Sequence, residues 1–118
     1  MNHFVNINKM IIRKVFILLN NEFLELLQKE LESINVNLEM NQEMLNEGIN
    51  KLNLIYGVIK GLVCLNDENF EEYLNIKQEE YPIFKKFLDN IKKHIEILEE
   101  LRNFKEREIN FTKKYLKL

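Results

Sequence analysis

The chain has 118 residues, 46% of them hydrophobic and 31% charged, with a formal net charge of −2. Such a chain is long enough for one domain with a modest core and too apolar for a disordered one, and its balanced charge gives no general attraction to nucleic acid or an anionic membrane. One proline and three glycines are too few turn residues for an all-β fold, and a lone cysteine, Cys64, excludes an internal disulfide.

Residues 1–8 are polar and rich in asparagine, and they read as a frayed lead-in. A long helix is predicted over 9–65. From Leu24 the apolar positions recur every third and then fourth residue: Leu27, Leu31, Ile34, Leu38, Leu45, Leu52, Ile55, Ile59 and Leu62. Only Asn41 and Gly48 interrupt the repeat, which is the signature of an amphipathic helix with a narrow apolar seam. Phe16, Leu19, Phe23 and Leu26 form a second stripe beside it. Between 28 and 47 the flanks turn polar apart from Met40 and Met44. The apolar face widens again from Ile49, through Leu54, Tyr56, Val58, Val63 and Leu65. Asn35, Gly48 and Gly57 are the places where a break would fall. Gly57 and Gly61, one turn apart, point either to an early helix end or to a close helix crossing.

Asn66-Asp67-Glu68-Asn69 ends the first helix, and Asn66 or Asp67 can cap the next one. A short helix is predicted over 68–80, with Phe70, Tyr73, Leu74 and Lys77 on one face. Tyr81-Pro82 should kink or interrupt the chain, because the residue before a proline is pushed out of the α region. A second long helix follows over 82–116. Its stripe is Phe84, Phe87, Leu88, Ile91, Ile95, Leu98 and Leu101, continued raggedly by Phe104, Ile109, Phe111, Tyr115 and Leu116. A short polar turn makes the two helices antiparallel neighbours. The expected fold is all-α and a single helical domain: a long antiparallel helical hairpin or three-helix bundle with coiled-coil-like heptad packing, its second arm kinked at Pro82.

Groups able to do chemistry are few. Ser33, Thr112, His3, His94 and Cys64 are the short list. Cys64 lies in an apolar run and is expected to be buried and inert, and His94 to be solvated. Ile91 stands where a Glu-x-x-His metal motif would need glutamate, and no Cys-x-x-Cys, glycine-rich phosphate loop or His-Glu-x-x-His occurs. No catalytic residue, cofactor or metal is therefore expected, and the chain does not read as an enzyme. Arg102, Lys105, Arg107, Lys113, Lys114 and Lys117 outnumber Glu106 and Glu108 and interleave with aromatic residues. That composition makes a nucleic-acid-associated protein one alternative, with a cationic helix end as the plainer explanation. The runs 15–19 and 52–65 are too short or too polar for a signal segment or a membrane span, so a cytoplasmic location is expected.

The join between the helices, Gly61-Leu-Val-Cys-Leu-Asn-Asp67-Glu-Asn-Phe70-Glu-Glu-Tyr-Leu74-Asn-Ile-Lys77, resembles that of the flagellar and type III export chaperones. In that family a leucine-rich helix ends in a short acidic turn and a charged helix follows. The resemblance covers residues 61–77, and Pro82 and the paired glycines depart from it. It implies a helical hairpin that holds a secretion substrate.

Taken together, these features point to a protein–protein interaction module, an adaptor or a self-associating helical protein, with a protein partner or a second copy. Excess apolar surface marks the expected partner-binding residues. At one end these are Leu54, Tyr56, Val58 and Val63, with Phe84 and Phe87 after the fold-back; at the other they are Phe16, Leu19 and Phe23.

Overall fold

The structure is a computed structural model that describes the backbone of residues 2–115 and the side chains of 8–14 and 21–114. Among these residues the chain is all-α. Helix α1 spans Asn2–Leu65, one 3-10 turn spans Glu68–Phe70, and helix α2 spans Glu71–Tyr115. Residues 2–8, expected to fray, belong to α1, which also passes Asn35, Gly48, Gly57 and Gly61 without interruption.

Asparagine and aspartate chemistry makes the turn. Asn66 takes a left-handed conformation at φ 49°, a position asparagine tolerates better than most residues, and its N–H donates to the Leu62 carbonyl at 3.1 Å. Asp67 is extended, and its carboxylate accepts the Asn69 N–H at 2.9 Å. The Phe70 N–H then donates to the Asp67 carbonyl at 3.0 Å. Glu68, Glu71 and Glu72 place negative charge at the positive ends of the new helical segments.

The helices divide into two compact units, Met1–Val36 with Glu99–Leu118, and Asn37–Leu98. The 37–98 unit is a helical hairpin. On α1 its covered positions are Leu38, Asn41, Leu45, Gly48, Leu52, Ile55, Ile59 and Leu62. On α2 they are Leu74, Lys77, Tyr81, Phe84, Leu88, Ile91, Ile95 and Leu98. Both sets keep the 3-4 spacing that holds one face of a helix towards one neighbour.

Gly48 is no flaw in that repeat. It is buried, and a β-carbon built on it would overlap Leu88 Cδ2 and lie 3.5 Å from Leu88 Cγ. The missing side chain is the hole that the Leu88 knob fills. Gly57 and Gly61 behave otherwise: nothing lies within 4 Å of a β-carbon at either, and α1 continues past both. Neither the early end nor the close crossing expected there is found among the described residues. Asn41, half-covered on the seam, turns its amide back along its own helix and donates to the Asn37 carbonyl at 2.7 Å.

The predicted division at Tyr81-Pro82 is absent. Residues expected as separate helices over 68–80 and 82–116 form the 3-10 turn and then one helix, with Pro82 inside α2. Pro82 is exposed while Tyr81 and Phe84 face α1, so the missing N–H falls on the side open to water. The Tyr81 ring lies 6.2 Å from Tyr56, and the Lys51 ammonium lies 4.9 Å from the centre of the Phe84 ring. Packing on both sides of the proline offsets the lost hydrogen bond.

In the unit formed by the chain ends, Leu24, Leu27, Leu31 and Ile34 on α1 are covered, as are Arg102, Lys105, Ile109 and Thr112 on α2. The sequence stripe had named Leu101, Phe104 and Phe111 on α2, yet all three are exposed. Once Leu98 faces inward, 3.6 residues per turn bring positions 102, 105 and 109 to the same side. Arginine and lysine occupy two of those positions because their aliphatic stems can lie on apolar surface while the charge reaches water.

Gly48→Ala should lower stability by about 1 kcal/mol. Overpacking costs about 1–3 kcal/mol, more than the roughly 1 kcal/mol that alanine gains in helix propensity. In a Leu88→Ala background the same change should stabilise instead. Urea unfolding followed by circular dichroism reads both signs, and equal signs in the two backgrounds would refute the knob-and-hole contact. Pro82→Ala should raise stability by about 2–3 kcal/mol in the same assay, because it restores a donor inside a helix that is already continuous.

Candidate functional site

Exposed apolar side chains in the 37–98 unit are not scattered. On α1 they include Met40, Met44, Leu54, Val58 and Leu65, and on α2 Tyr73, Ile76, Ile83, Phe87 and Ile97. Each set follows its own 3-4 spacing, centred about 100° around the helix from the covered seam. These ten belong to a group of fourteen exposed large apolar residues in the unit; the others are Ile49, Tyr56, Val63 and Phe70. The covered seam takes two of the seven heptad rows, so even spreading of the fourteen over the other five would put about six on any two, and ten marks a second face. Leu54 at 70% and Ile83 at 69% exposure are its most open members.

In an antiparallel pair the two stripes border the same side, and ring contacts mark that border. Lys51, a stripe position on α1, lies over Phe84, whose ring is 5.8 Å from stripe residue Phe87. Of the charged residues in this unit, only Glu47, Lys51 and Glu80 sit on the stripes. Glu80 accepts a hydrogen bond from Lys77 at 3.0 Å, which raises the Lys77 ammonium above the ordinary lysine value despite the opposing effect of burial.

The residues that sequence reasoning singled out separate on this geometry. Leu54, Val58 and Phe87 lie on the stripes. Tyr56 and Val63 lie on the opposite flank of α1, where Tyr56 meets Tyr81 and carries Lys60 at 5.1 Å from its ring centre. Phe84 is a half-covered seam residue. Phe23 is exposed in the other unit, and the side chains of Phe16 and Leu19 lie outside the described residues. Sequence reasoning missed Met40, Met44, Tyr73, Ile76, Ile83 and Ile97 as one surface. The signal was present as isoleucine at 76, 83 and 97, seven or fourteen residues apart on α2.

Among the described residues, groups capable of chemistry do not converge. Cys64, expected to be buried, is exposed, because it projects from the outer side of α1. His94 is exposed. Among the described residues no three of His, Cys, Asp and Glu stand together as a metal site. A stretch of α1 within Asn21–Leu65 reaches mean hydropathy 1.2 over 18 residues, long and apolar enough by length and composition to cross a membrane. Where α1 belongs to the hairpin, its seam rests on α2, whose Glu79, Glu80, Lys85 and Lys86 hydrocarbon would penalise.

The basic C-terminal segment is partly spent on packing. Lys105 approaches Glu30 to 2.6 Å, and a further carboxylate, Glu108, lies 4.0 Å away. The Glu30 Oε2 atom is itself covered although the carboxylate as a whole is partly open to water, and the contact is an ion pair rather than a well-directed hydrogen bond. Glu30, at hydrogen-bonding distance, raises the Lys105 ammonium above the ordinary lysine value; burial works against this, and the charges of Glu30 and Glu108 add to it. Arg107, Lys113 and Lys114 are exposed, and Lys117 lies outside the described residues.

No family model matches this chain, and no curated protein or solved structure matches it either.

The ion pair should have a defined pH signature. The folded chain holds the Lys105 proton more tightly than the unfolded chain, so the stabilisation is complete below about pH 10, the unperturbed lysine range, and is lost as pH rises through the raised value. Glu30→Gln should cost under about 1 kcal/mol at neutral pH, as partly exposed pairs do, and the difference from wild type should shrink as pH rises beyond the ordinary lysine range. Denaturant unfolding at several alkaline pH values measures it; a constant difference across that range would assign the effect to packing.

Proposed function

We propose that this chain is a non-enzymatic protein–protein interaction module of the cytoplasm, an adaptor or a self-associating protein. In this reading α1 and α2 of the 37–98 unit pair as a coiled coil and offer their second face to a protein. The observation that carries it is the pair of exposed apolar stripes, Met40 to Leu65 on α1 and Tyr73 to Ile97 on α2. An apolar face of this extent, rimmed by charge, commonly marks an interaction site in a soluble protein. A protein partner fits it better than nucleic acid, since only Lys51 among its charged residues is cationic. An export or assembly chaperone of the helical-hairpin kind is the second reading. Met40 and Met44 favour it, because unbranched thioether side chains adapt to varied apolar clients.

Cross-linking in the protein's own cells, followed by mass spectrometry of the tagged chain, tests the module. Leu54→Glu combined with Phe87→Glu should reduce the dominant cross-linked species, another protein or another copy, by about tenfold or more. Tyr56→Glu, on the other flank, should leave it in place. Equal recovery from the double variant and the wild type would sink the proposal.

A further inference from the structure

We infer that the stripes of the 37–98 unit are the contact face for a second copy of the same chain, docked head to tail so that the two turns lie at opposite ends. The inference rests on the interaction-module reading above and names the partner. Three observations support it.

The first is angular. Each helix carries one covered seam and one exposed stripe about 100° apart. Helices in a four-membered antiparallel bundle meet two neighbours at close to a right angle, and two hairpins stacked face to face form such a bundle. A single partner helix laid on the face would need only a central groove, not a full stripe on each arm.

The second is area. Ten apolar side chains, each about half exposed, hold roughly 300–600 Å² of open apolar surface per copy, from roughly 60–120 Å² for each in full. A stable two-protein interface buries about 800 Å² per partner, of which about 60% is apolar, so the stripes match its apolar share.

The third is charge. The row of α2 on the outer edge of the stripe reads Glu72, Glu79, Lys86 and Lys93, two acids and then two lysines at seven-residue intervals. Docked head to tail, α2 lies on the partner's α2 and this row sets acids beside lysines; docked with the turns together, α2 would lie on the partner's α1, whose matching row, Glu43, Asn50, Gly57 and Cys64, offers a single charge. The contact is isologous, as a two-fold dimer requires, because the 3-4 stripe has the same spacing in both directions.

The test uses the full chain in solution. Sedimentation equilibrium at micromolar concentration should give the mass of two 14.3-kDa chains. Ile83→Glu with Leu54→Glu should raise the dimer dissociation constant about 100-fold or more while the helical circular dichroism is unchanged. A wild-type chain that stays monomeric would overturn the inference but leave a different protein as partner, which the cross-linking experiment detects. A dimer that survives both substitutions would place the contact on another face and overturn it as well. Orientation is read without mutation, because Cys64 is exposed and can carry a spin label. Head-to-tail docking places the two Cys64 labels roughly 35 Å apart along the helices, from 1.5 Å per residue. A separation below about 20 Å would put the turns together and refute the orientation.

Discussion

A helix can give any one neighbour only two of its seven heptad rows. In the 37–98 unit that constraint decides which residues are covered, whatever their chemistry. Gly48, Asn41 and Lys77 lie on the seam because of where they fall in the count, not because they are apolar. The fold accommodates each by a different device. Glycine becomes a hole for Leu88, asparagine turns its amide back to Asn37, and lysine reaches Glu80 at the edge. The same count forces Leu54 and Ile83 outward, although both are aliphatic. Core and exposed stripe are thus two results of one periodicity.

The all-α class, the antiparallel pairing, the turn at 66–67 and the α1 seam were legible in the sequence, because each rests on a local pattern. What was not legible came from following hydrophobicity where spacing should have ruled. Leu101 and Phe104 attract the eye, yet a stripe that went from Leu98 to 101 and 104 would drift around the helix. Arg102 and Lys105 keep the phase and take the covered positions. Pro82 misled in another way: its local preference for a break was real, but Tyr81 and Phe84 pack on either side of it. The second face was hidden because its rows contain Glu47, Lys51, Glu80, Asn90 and His94, which dilute the pattern when it is read along the chain. Only exposure, residue by residue, separates it from the seam.

The described chemistry bears on function by its distribution. Reactive groups are few, and His94 and Cys64 are each open to solvent on helices rather than gathered in a recess. Most of the charge lies on the rows away from both apolar faces, where it keeps the remaining surface in water. Within the 37–98 unit, ten of the fourteen exposed large apolar residues gather on the two stripes.

The two-residue turn has a kinetic consequence. Tyr56 and Tyr81 meet across 25 residues of chain, Lys51 and Phe84 across 33, and Gly48 and Leu88 across 40. Chain-closure entropy grows only with the logarithm of that separation, so going from the first of these layers to the last adds about 0.4 kcal/mol. Most of the closure cost falls on the layers nearest Asn66 and Asp67, and each later layer adds contacts with little further closure cost. Assembly that begins at the turn and runs outward layer by layer is therefore the least costly route. The left-handed asparagine, by fixing how the two helices first meet, sets the register for every layer that follows.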